Sequence, residues 1–246
     1  MRCAIISDIH GNHEALTTVL EDIRQKGIKD IFCLGDIVGY GADPSGCLAE
    51  ICGLTDMITA GNHDHGAVGL LDLSSFNLNA RKAAEWTGKK LNAREKDLLK
   101  KLPLFLNPFV QGEKFIMVHS TPNRPEAWQY ILSLDEAEYQ FEKFSERLCF
   151  VGHSHQPVFW ECDPHGKCSI AGREYVHLEK DRRYIINVGS TGQPRDGDPR
   201  ASYAVFDRER MEVTIRRVEY DIYSAQEKII RAGLPARLAE RLAIGI

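Results

Sequence analysis

Five short apolar runs in this chain each stop at a polar cluster, and that recurrence limits the fold more than any other feature. RCAII gives way to Ser7, Asp8 and His10, and DIFCL to Gly35 and Asp36. DMITA runs into GNHDHG, FIMV into His119, and LCFV into Gly152, His153 and His155. Short runs rich in β-branched and apolar residues fit strands buried on both faces. Residues just past the carboxyl ends of parallel strands collect along one edge of an open sheet, where such folds bind ligands. Distant segments of this chain are therefore expected to bring carboxylates, one amide and several imidazoles into a single crevice.

The order of elements agrees with that expectation. RCAIIS reads as a strand, and ALTTVLEDIRQKG as a helix capped at Gly27. DIFCLG reads as a second strand, DPSGCLAEICG as a short helix, and DMITA as a third strand. This β–loop–α–β order argues for a parallel, buried sheet with helices on its faces. The middle is helical over SSFNLNARKAAEWTGKKL and NAREKDLLKKL, with Ser75 and Asn92 as candidate N-caps. PLFLNPFVQGEKFIMVHS reads as two strands joined by a turn at QGEK. After the helix LDEAEYQFEKF and the strand RLCFVGHSH, strands dominate up to EVTIRRVEY. DRERM reads as a hairpin turn, and residues 221–243 as terminal helices broken near Gly233 and Pro235. No repeat, low-complexity segment or linker divides residues 1–246, so a single domain is expected.

Composition narrows the function classes. With 43% hydrophobic and 27% charged residues and a net charge of −4, the chain lacks the concentrated basic surface of a nucleic-acid binder. An anionic substrate remains compatible, because a bound cation supplies local positive charge. No run is long enough to span a bilayer, and the four-residue apolar start is too short for a signal peptide. A cytoplasmic location is the expectation. The seven cysteines are odd in number and mostly sit in apolar contexts, which favours buried free thiols over a disulfide framework.

Within the expected crevice, Asp8 and Asp36 offer anionic oxygens and Asn62 a carbonyl oxygen. His10, His119, His153 and His155 offer imidazole nitrogens. Mixed N and O ligation suits Mn, Fe, Co, Ni or Zn better than Ca or Mg. Seven ligands are too many for one ion and about right for two that share a carboxylate, with positions left for water and substrate.

In this order, DIH, GDIVGYG, GNHD, VHS and GHSH resemble the calcineurin-like metallophosphoesterases. The longer pieces GDIVGYGADP and NVGSTGQPRDGDPRASYAVFD are similar to a branch of small prokaryotic phosphodiesterase-like proteins related to diadenosine tetraphosphatases. Where that family often has NPGS, this chain has Val188 in place of the proline. The resemblance implies an α/β sandwich of two mixed β-sheets flanked by helices. It implies a dinuclear metal-dependent phosphoesterase, in which a metal-bound hydroxide attacks a phosphodiester, or a nucleotide or dinucleoside polyphosphate. By motif position, Asp8, His10 and His155 resemble ligands of a first divalent ion, and Asn62, His119 and His153 those of a second. Asp36 resembles the bridging carboxylate. His63 resembles the non-ligand histidine that contacts phosphate and protonates the leaving group, with Asp64 orienting its imidazole. The partner implied is a small phosphorylated substrate, nucleotides included. Two other readings stay open: a monoesterase or protein phosphatase with the same centre, and a nucleotide-binding regulatory module with little turnover.

The remaining polar features divide into site and surface. Arg195 and Ser190, in the loop GSTGQPRDGDPR, are candidates for substrate contact through exposed N–H groups and a guanidinium. Tyr40 is a candidate to stack on a base or to pack at the rim. The stretch 121–132 is a candidate lid, in which Trp128 and Tyr130 are more simply read as packing residues. His65 reads as a surface residue, and His13 as a helix-terminus residue or a substrate contact. CDPHGKC, residues 162–168, fits a hairpin turn better than a metal knuckle, because Cys162, His165 and Cys168 give only three ligands at an unusual spacing.

Overall fold

The computed structural model describes residues 2–110 and 112–246. In chain order its strands are β1 (Arg2–Ile6), β2 (Asp30–Cys33), β3 (Phe105–Leu106), β4 (Phe109–Val110), β5 (Glu113–Val118) and β6 (Leu148–Val151). Then come β7 (Val158–Cys162), β8 (Cys168–Gly172), β9 (Tyr175–His177), β10 (Arg183–Asn187), β11 (Ala201–Asp207) and β12 (Glu212–Val218). The helices are α1 (His13–Gln25), α2 (Pro44–Leu54), α3 (Asn62–Ala67), α4 (Leu78–Lys90), α5 (Ala93–Lys101), α6 (Leu134–Phe141), α7 (Ile222–Arg231) and α8 (Ala236–Glu240).

Two mixed sheets form, flanked by helices. One has the order β2-β1-β11-β12-β9, and the other β3-β5-β6-β10-β7-β8 with β4 on β5. Among the described strands, β1–β2, β5–β6 and β6–β10 pair in parallel, and their carboxyl ends carry most of the polar clusters. Antiparallel hairpins complete each sheet, which a parallel reading of the N-terminal half did not include.

The continuous apolar runs follow from burial on both faces. In β1, Cys3 and Ile5 fill the layer between the sheets, while Ala4 and Ile6 face α1 and α2. In β6, Leu148 and Phe150 point inward, and Cys149 and Val151 pack on the side of α6. A strand with period two and no solvent face shows no polar alternation.

Local signals set the helix ends. The Asn12 side chain caps α1 at the Ala15 amide, 3.1 Å away, and Gly27 ends it with φ +66°. Asn92 caps α5 in a reciprocal box with Glu95. Helix α4 is capped by Asn77, not Ser75, which closes the preceding short turn instead. DMITA forms no strand. Residues 55–60 follow β2 through one parallel bridge, Cys33 to Ile58, and the Ala60 amide then turns to Pro103. Of the expected QGEK turn between β4 and β5, Gln111 lies outside the described residues. The C-terminal helices break at Gly233 as expected and pack through Ala225, Ile229, Leu238 and Leu242 beside Tyr40 and α4.

All seven cysteines are free, and all but Cys52 are buried. No described helix is long and apolar enough to cross a membrane.

Candidate metal centre

At the strand ends the backbone takes a conformation that L residues rarely adopt. Asp8, His10, Asp36, His153 and His155 have φ of 53°, 52°, 50°, 66° and 61°. Each such residue costs about 1–3 kcal/mol and persists only where its surroundings enforce it. Here the loops brace one another. The Asp8 and His10 amides donate to the carbonyls of Gly35 and Asp36 at 3.0 and 2.9 Å. The Thr191 and Gly192 amides donate to Ser7 and Asp8, both at 2.9 Å. Two glycines permit close approach: a Cβ at Gly61 would fall on the Asp36 carboxylate, and one at Gly152 on Ser7 Oγ and Asp8 Oδ2.

Four imidazoles are fixed by backbone carbonyls. His10 Nδ1 faces Val38 O at 3.3 Å, His119 Nδ1 faces Leu34 O at 2.9 Å, and His155 Nδ1 faces Gln193 O at 2.5 Å. His153 is turned the other way, with Nε2 on Trp128 O at 2.9 Å. A carbonyl oxygen only accepts, so in the neutral ring each of these nitrogens carries the proton and the opposite nitrogen is the one free to act as a ligand. Those second nitrogens converge: His10 Nε2 lies 3.1 Å from His155 Nε2, and His119 Nε2 lies 3.2 Å from His153 Nδ1. Neighbouring ligands about 2.1 Å from one ion stand at about this separation.

The carboxylates are divided in the same way. Asp8 Oδ2 accepts from Ser7 Oγ and the His153 amide at 2.6 and 3.1 Å, and Asp36 Oδ1 accepts from the His63 amide at 2.8 Å. Asp8 Oδ1, Asp36 Oδ2 and Asn62 Oδ1 are buried without a hydrogen-bond partner. Asp8 Oδ1 is 3.2 Å from His155 Nε2, and Asp36 Oδ2 is 3.3 and 3.6 Å from Nε2 of His119 and His10. Three sets, Asp8–His10–His155, His10–Asp36–His63 and Asp36–His119–His153, offer ligand atoms all within 4.8 Å of one another. Three orphaned oxygens and four aimed nitrogens, all buried, are a donor set that fits cations.

The field in the cluster agrees. Burial opposes ionisation of Asp8 and Asp36, but the surrounding histidines outweigh it and hold both well below the usual carboxylate range. Burial likewise opposes a charge on His119, yet Asp36 and Asp8 outweigh it and lift the imidazole to about 9. Burial pushes His153 and His155 down to about 4 and about 3, with His119 adding to the first and Arg195 to the second. Two carboxylates thus draw positive charge to a point where two neutral imidazoles present lone pairs.

His63 lies beside this cluster. Its ring is 4.3 Å from Tyr40, 4.8 Å from Phe76 and 4.9 Å from His10, centroid to centroid. Burial, outweighing Asp36, keeps it far below its ordinary pKa, and Nδ1 has no partner. The expected Asp64–imidazole bond is not formed. Asp64 Oδ2 caps α3 at the Gly61 amide, 3.0 Å away, and Oδ1 takes the Val38 amide at 3.1 Å. Adjacent residues of a helix do not face each other, so Asp64 turns back to the helix start while His63 faces outward. Burial and Asp36 push Asp64 up to about 7.

Ser190 is also a correction. It is fully buried, donates to Asp8 O at 2.8 Å and accepts from the Gln193 amide at 2.8 Å, so its hydroxyl braces the centre and cannot meet substrate. Arg195 lies 5.6 Å over the Tyr40 ring and reaches Gln193 Oε1. Tyr40 is buried against His10 and His63 and lines a cavity of about 400 Å³ with Asn62, His63, Phe76, Trp128 and His153. His65 is half-buried against Trp128, not a surface residue. His13 starts α1 and pairs with Glu50 at 3.0 Å. Trp128 and Tyr130 pack on site histidines, Tyr130 stacking on His153 at 4.0 Å. The hairpin turn at 162–168 is as expected: Asp163 Oδ1 takes the amides of His165 and Lys167, both at 2.9 Å.

Sequence reasoning missed Ser7, Asn187 and Gln193. Asn187 Nδ2 ties Gly152 O and Ser154 Oγ at 2.6 and 2.9 Å, shaping the GHSH loop. Ser7 stood next to a predicted ligand, which was the available signal. The carbonyls of Leu34, Val38, Trp128 and Gln193 have none, because a main-chain acceptor leaves no trace in residue type.

Comparison with known proteins decides the family. Residues 1–211 match the calcineurin-like phosphoesterase superfamily domain. The chain belongs to that family. It is 44% identical over 243 residues to an uncharacterised protein of Methanocaldococcus jannaschii, covering 98% of this chain and 97% of the other. A metallophosphoesterase from Sphaerobacter thermophilus is 40% identical, with a TM-score of 0.86 over 100% of this chain and 99% of the other. A hypothetical protein of Pyrococcus horikoshii shares the fold at 20% identity, with a TM-score of 0.80 over 100% and 98%. Membership of this phosphoesterase family supports a hydrolase, and the clustered Asp and His residues are candidate ligands of divalent metals.

Proposed function

We propose that this chain is a dinuclear metal-dependent phosphoesterase acting on a small phosphodiester or on a nucleotide-type polyphosphate. The observation that carries the reading is a buried cluster in which unpartnered Asp8 Oδ1 and Asp36 Oδ2 lie 3.2–3.6 Å from imidazole nitrogens whose opposite ring atoms are held by backbone carbonyls, with Asn62 Oδ1 also buried and unpartnered. Asp8, His10 and His155 would hold one ion, and Asn62, His119 and His153 the other. Asp36 would be shared between them, with Oδ2 unpartnered and Oδ1 accepting from the His63 amide. Two such ions supply Lewis acidity towards phosphoryl oxygens and a nucleophilic water at neutral pH.

The protein's own groups do the rest. The carbonyls behind the histidines and Ser7 behind Asp8 fix the ligands before substrate arrives, which limits reorganisation during reaction. His63 faces the cavity as a neutral imidazole and is placed to donate its N–H to a phosphoryl oxygen. It passes a proton to the leaving oxygen only once a bound phosphate anion has raised its pKa. Arg195, beyond Tyr40, adds positive charge on the substrate side.

The test is turnover of bis-p-nitrophenyl phosphate beside p-nitrophenyl phosphate by protein stripped of metal and reconstituted with Mn, with Asp36→Ala in parallel. Metal-dependent hydrolysis absent from the variant, and faster on the diester, is the expected result. No turnover with Mn, Fe, Co, Ni or Zn despite two bound ions would overturn the enzymatic reading in favour of a nucleotide-binding module.

A further inference from the structure

Four aromatic side chains line the cavity of about 400 Å³ beside the centre. Tyr40 and Phe76 gather at His63, with centroids 4.3 and 4.8 Å from its ring. Trp128 and Tyr130 stand at other histidines of the centre, Trp128 6.2 Å from His119 and Tyr130 stacked on His153 at 4.0 Å. The second pair keeps aromatic surface uncovered. Tyr130 gives one face to His153 yet stays 44% exposed. Trp128 meets His65 and His119 at 84° and 66°, so neither ring lies flat against it. Uncovered apolar surface in a cavity of this size suits a small organic ligand.

The segment that carries Trp128 is strained. Arg124 and Trp128 flank a single 3₁₀ turn, Pro125–Ala127, with φ of 55° and 51°. A side chain as bulky as tryptophan rarely adopts that region, and a residue before proline is normally extended. The centre holds Trp128 there, because its carbonyl accepts from His153 Nε2 at 2.9 Å. Strain of this kind collects at ligand clamps. The lining also lacks positive charge. Among the described residues no lysine or arginine lines this cavity, and Arg195 reaches only the Tyr40 ring. The carboxylate in the lining, Glu126, is offset by Arg124 at 3.4 Å, and Ser75 and Asn77 are neutral. A second phosphoryl group would meet no counter-charge here beyond the centre itself, whereas a planar ring would meet aromatic faces.

We propose that this cavity seats an uncharged planar ring, carried by the ester group next to the reacting phosphate, and that Trp128 and Tyr130 select for it. The substrate class is then a phosphate ester of a nucleoside or of an aryl alcohol, with the ring-bearing group ester-linked to the phosphorus at the centre. Cleavage at the far phosphate of a polyphosphate chain is disfavoured, because it would bring phosphoryl groups into the cavity instead. This rests on the reading of the centre given above.

The test is calorimetric titration of Mn-loaded protein with phenylphosphonate and with methylphosphonate, which carry the same charged group, resist hydrolysis and differ by the ring. The parent should bind phenylphosphonate about tenfold or more tighter. Trp128→Ala should cut that preference by about fivefold or more while methylphosphonate affinity stays within about twofold. Tyr130→Ala should cut it by about threefold, and decides by the same ratio if Trp128→Ala does not fold. Trp128→Phe should recover part of the preference. Tyr223→Ala, at a 71% exposed tyrosine on α7, should change neither affinity. AMP set against ribose 5-phosphate, as inhibitors of bis-p-nitrophenyl phosphate turnover, separates the two sources of the ring. Tighter inhibition by AMP that falls in Trp128→Ala assigns a nucleoside, and equal inhibition assigns an aryl group. Equal phosphonate affinities in the parent, no binding of either at about 10 mM, or folded variants that keep the full preference or lose both ligands alike, overturn the cavity as a ring site. A ring preference in a protein that turns over nothing with any metal keeps the cavity and overturns the hydrolytic reading, and turnover without a ring preference does the reverse.

Discussion

GNHDHG at residues 61–66 and CDPHGKC at residues 162–168 are the stretches richest in metal-capable side chains outside the paired DIH and HSH motifs. Their fates differ. In the first, Asn62 Oδ1 is buried without a partner and His63 lies 4.9 Å from His10. In the second, Asp163 spends its carboxylate on two amides of its own turn, and His165 is exposed. Burial pushes the Cys168 thiol up to about 12, so it does not present a thiolate. The donor atoms are similar in kind. What separates the stretches is that the first is packed against the strand ends, where other loops deliver matching ligands, while the second caps a hairpin that meets none.

Several substitutions would break or sharpen that contrast. The largest effect is expected from Asp36→Ala, which should cut metal-dependent diester turnover by about a thousandfold or more and lower the metal content. Cys168→Ser, at the hairpin, should leave both as they are. His63→Ala should lose about a hundredfold in kcat while elemental analysis still finds the parent metal content. Full metal occupancy together with parental kcat on a poor leaving group would remove His63 from the chemistry. Metal removal should lower the melting temperature by about 5–10 °C, since a ligand at a hundred times its Kd adds about 2.7 kcal/mol and a domain of this size shifts about 2–4 °C per kcal/mol. A scan with and without chelator checks this, and the Cys168→Ser protein should show the same shift. Asp64→Ala should destabilise by about 1–3 kcal/mol in urea, because two buried amides lose their acceptor. The smallest effect is expected from His165→Ala, within about 0.5 kcal/mol in the same assay.

Six of the residues expected as ligands bring donor atoms within 4.8 Å of one another in sets of three, and Asn62 lines the adjoining cavity with His153. They were legible because each follows an apolar run, and the strand-end rule needs only that pattern. The antiparallel half of each sheet was less legible, since a strand buried on both faces reads alike whichever way its neighbour runs. DMITA looked like the runs beside it, yet pairs through a single bridge because the chain leaves β2 at Ala60. Asp64 and Ser190 were misread for a common reason. Each is polar and adjacent to the site in sequence, but its hydrogen-bonding capacity is spent on backbone that the fold brings near. Residue type reveals that a donor or acceptor exists, and only the packed chain reveals where it is used.

The most direct test is a count of Mn per chain in metal-stripped, reconstituted protein, read by elemental analysis beside His119→Ala and Cys168→Ser. Two ions in the parent and in Cys168→Ser, with fewer in His119→Ala, are expected of a centre built at the strand ends. A parent that holds no ion, or a His119→Ala protein that holds as many as the parent while Cys168→Ser loses one, would contradict it.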